Sequence, residues 1–138
     1  MSAADAWILV NGKFVIDTNT LIKFIAHDPT LRWRMGHDFR CFLSFISVGE
    51  LFAGAYQSTR KAINVAEVQR FCHEIPVLIW DFETADTYGR IHASLRRKGK
   101  PIPHNDVWVA ATALRHEMTL ITLDKHFAAI EGLRTEVW

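Results

Sequence analysis

The chain has 138 residues, enough for one domain that buries about two-thirds of its unfolded surface around a single core. A hydrophobic share of 49% and a charged share of 22% are those of an ordinary globular protein and exclude a disordered or fibrous chain. Sixteen Lys and Arg against fifteen Asp and Glu leave a net charge of +1, so bulk charge does not mark a nucleic-acid binder.

The predicted elements alternate between strand and helix. Trp7–Val10, Asn11-Gly12 and Lys13–Ile16 have the pattern of a two-residue-turn hairpin. The alternative, adopted here, makes residues 1–11 an N-terminal extension and Lys13–Ile16 the first strand of a domain spanning 1–138. A helix is expected over Thr18–Ala26, ended by Asp28-Pro29, and Thr30–Asp38 is ambiguous. Cys41–Phe45 is the second strand, with a helix from about Ser47. A further helix, Thr59–Cys72, carries Ala62, Ile63, Val65 and Ala66 at helical spacing. Ile75–Trp80 is a run of strand formers. Glu83–Lys98 is a long amphipathic helix, which Gly99 stops. Pro101-Ile102-Pro103 then imposes an extended approach to a helix at Asp106. The small Ala110, Ala111 and Ala113 let that helix lie close on a sheet. Thr119–Leu123 is a buried strand and Thr135–Trp138 a last short one. This alternation predicts an α/β three-layer sandwich with a mostly parallel central sheet flanked by helices. Cys41 and Cys72 lack the spacing of a metal knuckle and read as free thiols. No apolar run approaches the ~18 residues of a membrane span. The first residues, Met1–Asp5, lack the cations of a secretory leader. A cytoplasmic location without membrane contact is expected.

Four acids, Asp17, Glu50, Asp106 and Asp124, fall where a predicted strand gives way to a helix or turn. In parallel α/β sheets, ligands gather outside the carboxyl ends of the strands. Neighbouring strands would bring these carboxylates together, and such a cluster either stays partly protonated or holds a hard cation. Each acid also has a local explanation. Ser47-Val48-Gly49-Glu50 matches a capping box. Asn105-Asp106 resembles an N-cap with an acid in the first turn, and Asp17 or Asp124 could each start a helix. Capping does not require acids at every one of these places, so the conjunction favours a cation site. Arg96-Arg97-Lys98-Gly99-Lys100 sets four cations just before Asp106, suited equally to a solvated helix end or to phosphate contact.

The runs Phe14–Ile22, Ser47–Ala55, Pro103–Ala113 and Thr122–Phe127 resemble, in order and spacing, the four motifs of PIN-domain ribonucleases. The resemblance covers about Lys13–Trp138 and is nearest to the VapC-type toxins of prokaryotic toxin–antitoxin pairs. It implies a Mg²⁺- or Mn²⁺-dependent endoribonuclease in which Asp17 and Asp106 ligate the metal and Glu50 and Asp124 complete its shell. Thr18, Asn19 and Thr122 would orient ligands or phosphate, with local capping the equal alternative. Arg96, Arg97, Lys98 and Lys100 would contact RNA. The resemblance further implies a homodimer silenced by a VapB-type antitoxin; the helix pair from about Ser47 to Cys72 offers a groove for it, with intramolecular core packing the alternative. His104 and His126 flank the motifs, with RNA contact or proton relay set against a solvated supporting role. Trp108 reads as a packing residue.

A haloacid-type phosphatase would need a second acid two residues after Asp17, where Asn19 stands. A receiver domain does not fit the order of the four acids. The remaining alternatives are a non-toxin PIN nuclease of RNA processing and a non-catalytic binding protein of the same fold.

Overall fold

In a computed structural model, which describes residues 12–27 and 40–137, the central strand β1 is Phe14–Ile16. It is followed by α1 (Thr18–His27), β2 (Cys41–Ser44), α2 (Phe45–Gln57), α3 (Lys61–Glu74) and β3 (Val77–Leu78). The chain continues through α4 (Phe82–Arg97), α5 (His104–Arg115), β4 (Thr119–Ile121), a 3-10 turn (Lys125–Ala129) and β5 (Thr135–Glu136). The strands pair in the order β3-β2-β1-β4-β5, and every pairing is parallel. The expected α/β sandwich is therefore present. The expected first hairpin arm, Trp7–Val10, and the ambiguous stretch Thr30–Asp38 lie outside the described residues.

β1 and β4 are buried along their whole length, as central strands covered on both faces must be. Alternation divides their side chains between two cores. Val15 and Leu120 meet Ile91 and Leu95 of α4 and Val107, Val109 and Ala110 of α5. Phe14, Ile16 and Ile121 meet Leu21 of α1 and Phe71 of α3 on the opposite face. Each fully buried Phe, Ile or Leu contributes about 1.5–3 kcal/mol. Ala110, Ala111 and Ala113 are completely buried, which lets α5 press against the sheet and fixes where Asp106 emerges. Cys41 and Cys72 are free, and burial raises both thiol pKa values, leaving them poor nucleophiles.

Three helix details depart from the sequence reading. Helix α2 starts at Phe45, not near Ser47, because the Ser44 side chain accepts from the Ser47 N–H and caps it. The expected capping box at Ser47–Glu50 is thus absent, and Glu50 lies in the second turn. Helix α5 starts at His104 with Pro103 at its N-cap and no side-chain cap, so Asn105 is not the N-cap. In α3, Ile63 is 57% exposed and Ala62 and Ala66 face outward, whereas Asn64, Val68 and Phe71 turn inward. The Asn64 amide is held by Ser58 Oγ at 2.8 Å, which makes a polar inner position tolerable.

Helix ends are closed by two different devices. Gly99 (φ 65°) donates to Arg96 O and Lys100 to Leu95 O, the paired bonds of a left-handed C-terminal cap. Glu117 (φ 56°) does the same work after α5, with Met118 donating to Ala113 O, although it carries a Cβ. At the other end of α4, Asp81 accepts from Thr84 N at 2.8 Å and from Arg115 at 2.8 Å, tying the start of α4 to the end of α5. The Arg115 and Thr84 bonds hold the Asp81 carboxyl well below the usual range.

Replacing Glu117 with Gly should relieve about 1 kcal/mol of left-handed strain, less the extra freedom of an unfolded glycine. The net gain of a few tenths of a kcal/mol shifts the expected thermal melt up by about 1 °C. No rise would mean that the Glu117 conformation is unstrained. Asp81→Asn should lower the urea midpoint at neutral pH. A depressed native pKa gives stability that is complete above the ordinary aspartate value of about 3.9 and lost as pH falls through the native one. The gap between variant and wild type should therefore hold from pH 7 to about pH 4 and close only below it.

Candidate active site

The register pairs Ile16 with Ile121, so Asp17 and Thr122 leave the sheet side by side at its carboxyl edge. Asp17 N–H donates to Ile121 O at 3.0 Å, and Asp17 O accepts from Leu21, so the residue ends β1 and opens α1. Its side chain is drawn inward, and the residue is only 5% exposed. Thr122 Oγ1 donates to Asp17 Oδ2 at 3.2 Å, and Thr20 Oγ1 lies 3.4 Å from the same oxygen. Thr122 Oγ1 also accepts from Asp124 N, and Thr20 Oγ1 accepts from Leu123 N. Two buried hydroxyls thus lock Asp17 to the chain that carries Asp124.

Glu50 approaches from α2. Thr18 Oγ1 lies 2.7 Å from Ser47 Oγ and 3.2 Å from Glu50 Oε1, and Asn105 Nδ2 donates to Glu50 Oε2 at 3.2 Å. Ser47 Oγ in turn lies 2.9 Å from Ser44 Oγ, which closes a buried hydroxyl chain from the α2 cap to Thr18. Asp106 projects from the first turn of α5, and Asp124 caps the 3-10 turn by accepting from His126 N at 3.2 Å. Of the supporting residues named from sequence, Thr18 and Thr122 reach the acids, whereas Asn19 is exposed.

His126 binds the last two acids together. Its Nδ1 lies 3.0 Å from Asp124 Oδ1 and its Nε2 2.9 Å from Asp106 Oδ2. The Nε2 contact is close but not aligned as a hydrogen bond, and this buried nitrogen has no such partner among the described residues. Asp106, Asp124 and His126 bring their ligand atoms within 4.8 Å of one another, a set that does not include Asp17 or Glu50. Asp17 and Asp106 nevertheless respond to neighbouring acids. Burial, then Asp106 and Asp124, raise the Asp17 pKa against the pull of Thr122 and Thr20. Burial also raises Asp106, with Asp124 and Glu50 adding to the shift and His126 opposing it. Oxygen donors with one imidazole, two of them desolvated and mutually repelling, suit a hard divalent cation.

The sequence reading missed the fixed role of His126, the hydroxyl of Ser47 and the Asn105 amide on Glu50. Position two after Asp124, within a turn that Asp124 itself caps, was the available signal for His126. The basic run divides: Arg96 borders a cleft with His92 and Ile102, Lys100 borders one with Lys125 and His126, Arg97 borders a separate cleft with Arg90 and Glu131, and Lys98 reaches Ala129 O at 3.4 Å. Beside Glu50, a cleft of about 450 Å³ runs between α1, α2 and α3, walled by apolar residues including Leu21, Ile25, Leu51, Val68 and Phe71.

A five-stranded parallel sheet carries acids at the ends of β1 and β4 and on α2 and α5, an architecture found in known ribonucleases. Residues 14–133 match the PIN domain family, and the chain belongs to that family, in its VapC-type ribonuclease branch. The tRNA(fMet)-specific endonuclease VapC of Salmonella typhimurium is 35% identical over 91% of this chain and 98% of its own. Ribonuclease VapC2 of Haemophilus influenzae is 32% identical over the same shares. Among solved structures, DNA-bound VapBC from Salmonella typhimurium superposes with a TM-score of 0.83, at 34% identity over 92% of this chain and 98% of that one. VapBC-1 from nontypeable Haemophilus influenzae gives 0.79 at 27% identity, over 91% and 97%.

The raised Asp106 carboxyl yields a stability prediction. Its contribution is greatest at low pH and is lost as pH rises through the native pKa, because ionisation there is opposed by burial and by Asp124 and Glu50. Asp106→Asn should therefore melt a few degrees higher than wild type in EDTA at neutral pH, with the gap narrowing as pH falls. A lower melt for the variant at neutral pH would show that the clustered charges cost nothing.

Proposed function

We propose that the protein is a Mg²⁺- or Mn²⁺-dependent endoribonuclease and the toxin of a VapBC-type pair. The observation that carries the reading is the convergence of Asp17, Glu50, Asp106 and Asp124, with burial and mutual repulsion raising the Asp17 and Asp106 pKa values. Asp17 and Asp106 would ligate the cation, and Glu50 and Asp124 would complete its shell. When bound, the cation supplies neutralisation of phosphate charge and an acidified water. The chain's own residues hold the geometry. Thr20 and Thr122 fix one Asp17 oxygen, Thr18 and Asn105 fix the two Glu50 oxygens, and His126 fixes Asp124 while facing Asp106. RNA as substrate is supported by the ribonuclease relatives, one of which is named for its action on tRNA(fMet).

The apolar cleft between α1, α2 and α3 would receive a segment of a VapB-type antitoxin. Glu50 lies on its wall, so a segment seated there could carry a guanidinium into the carboxylates in place of the cation. Solved relatives with this fold are VapBC complexes, which supports such a partner. Homodimerisation is supported by large apolar side chains left exposed: Phe45 and Ile79, which follow the paired residues Ser44 and Leu78, and the 87%-exposed Phe82.

Cleavage of RNA by antitoxin-free protein tests the reading. Discrete cuts are expected with Mg²⁺ or Mn²⁺ and none with EDTA. Asp17→Asn and Asp106→Asn should each lower the rate by at least about a hundredfold, the loss expected when a group holding transition-state charge is removed. Full metal-dependent cleavage by both variants would exclude these two acids as ligands.

A further inference from the structure

Among the described residues, His126 brings an imidazole into a corner otherwise built of carboxylates, hydroxyls and one amide. It enters from the 3-10 turn, two residues after Asp124, and reaches across to Asp106 on α5. The ring is held firmly. Its backbone N–H donates to Asp124 Oδ1 at 3.2 Å, and Nδ1 lies 3.0 Å from the same oxygen. The Phe127 ring leans on it with centroids 4.7 Å apart and planes at 49°. Phe127 is itself fully buried, so this brace belongs to the core. Both contacts with Asp124 fall on Oδ1, which leaves Oδ2 for another partner.

The far nitrogen is turned towards the acids. Nε2 lies 2.9 Å from Asp106 Oδ2, is shielded from solvent, and makes no aligned hydrogen bond among the described residues. A buried polar atom costs free energy until something satisfies it. With the ring proton on Nδ1, facing Asp124, the Nε2 lone pair and the Asp106 oxygen are two electron-pair donors aimed at one space. Adjacent donors around an octahedral ion, at bonds of about 2.1 Å, lie about 3 Å apart. The 2.9 Å between Nε2 and Oδ2 is that spacing. Asp106, Asp124 and His126 each offer one ligand atom, all within 4.8 Å of one another. An imidazole that turns one nitrogen to a carboxylate and the other to an ion is the common arrangement of a metal-bound histidine. The nitrogen also bears on which ion is held. Mg²⁺ keeps to oxygen donors and its own waters, whereas first-row transition ions gain from imidazole.

We propose that His126 Nε2 is a ligand of the cation held by Asp106 and Asp124, and that this nitrogen makes the site prefer Mn²⁺ to Mg²⁺. The inference rests on the nuclease reading and adds the donor atom that selects the ion. Two other roles for the ring leave different traces. An imidazolium serving as a counter-charge would compete with both ions alike, and a ring that only packs would support both alike.

The test uses the full chain without RNA. Affinities for Mn²⁺ and for Mg²⁺ are measured separately by calorimetry on wild type, His126→Ala and His126→Gln. Electron spin-echo modulation, which detects imidazole nitrogen bound to the ion, is recorded on each Mn²⁺ complex. His126→Ala should weaken Mn²⁺ at least about tenfold and Mg²⁺ much less, and the imidazole signal of the wild type should vanish. His126→Gln, which offers an amide oxygen, should bind both ions yet show the alanine variant's lower Mn²⁺-to-Mg²⁺ ratio and no imidazole signal. Melting curves establish that each variant is folded. Equal changes for the two ions in His126→Ala overturn the inference, a rise making the ring a counter-charge and a fall making it a packing element. A wild-type Mn²⁺ complex without the imidazole signal also overturns it. In each of these cases metal-dependent RNA cleavage by wild type leaves the nuclease reading standing. A folded wild type that binds neither ion removes that reading and this inference with it.

Discussion

Several carboxylates are held together in a partly desolvated corner, and much of the local structure answers to that constraint. Two like charges about 4 Å apart at an effective dielectric near 20 repel by roughly 4 kcal/mol. Burial adds to the cost, and it is the largest influence raising both Asp17 and Asp106. Left alone, such a corner would open or take up protons. It stays closed because each acid is tied to backbone that the fold cannot easily move. Asp17 ends a fully buried strand, Asp106 stands on a helix packed through alanines, and Asp124 caps the turn after β4.

The supports are hydroxyls, an amide and an imidazole, and none of the described side-chain bonds to these acids comes from Lys or Arg. That choice has a physical logic. A guanidinium paired with Asp17 or Glu50 would neutralise the corner permanently and occupy the space of a cation. Threonine hydroxyls and Asn105 orient the oxygens while leaving the charge uncompensated. Asp81 illustrates the other solution, with Arg115 and Thr84 depressing its pKa where the demand is only to join two helices. One aspartate is built for stability and the others against it, as expected where a site needs charge that the fold would rather lose.

The sheet was legible in the sequence because its central strands are buried on both faces and so appear as unbroken apolar runs, Phe14–Ile16 and Thr119–Ile121. The acids were legible because parallel strands deliver their carboxyl ends to one edge. What misled was local. Phe45 and Ile46 prolong the apolar run of β2, yet Ser44 caps a helix there, and short apolar segments do not separate strand from buried helix. In α3, Ile63 and Ala66 suggested the inner face, but packing against α2 selects Val68 and Phe71 and tolerates Asn64 through its bond to Ser58. Asn105 looked like a cap and is instead an acid's partner, a contact 55 residues apart in sequence that no local pattern encodes. The basic run could not be divided either, since which cleft each of Arg96 and Arg97 borders depends on how α4 is rotated against α5.

The most direct test is calorimetric titration of Mn²⁺ into metal-free wild-type protein, with Asp17→Asn beside it. The account predicts saturable binding to the wild type that is lost or strongly weakened in the variant. Equal binding by both proteins, or none by a folded wild type, would contradict the claim that the buried carboxylates are assembled to hold a cation.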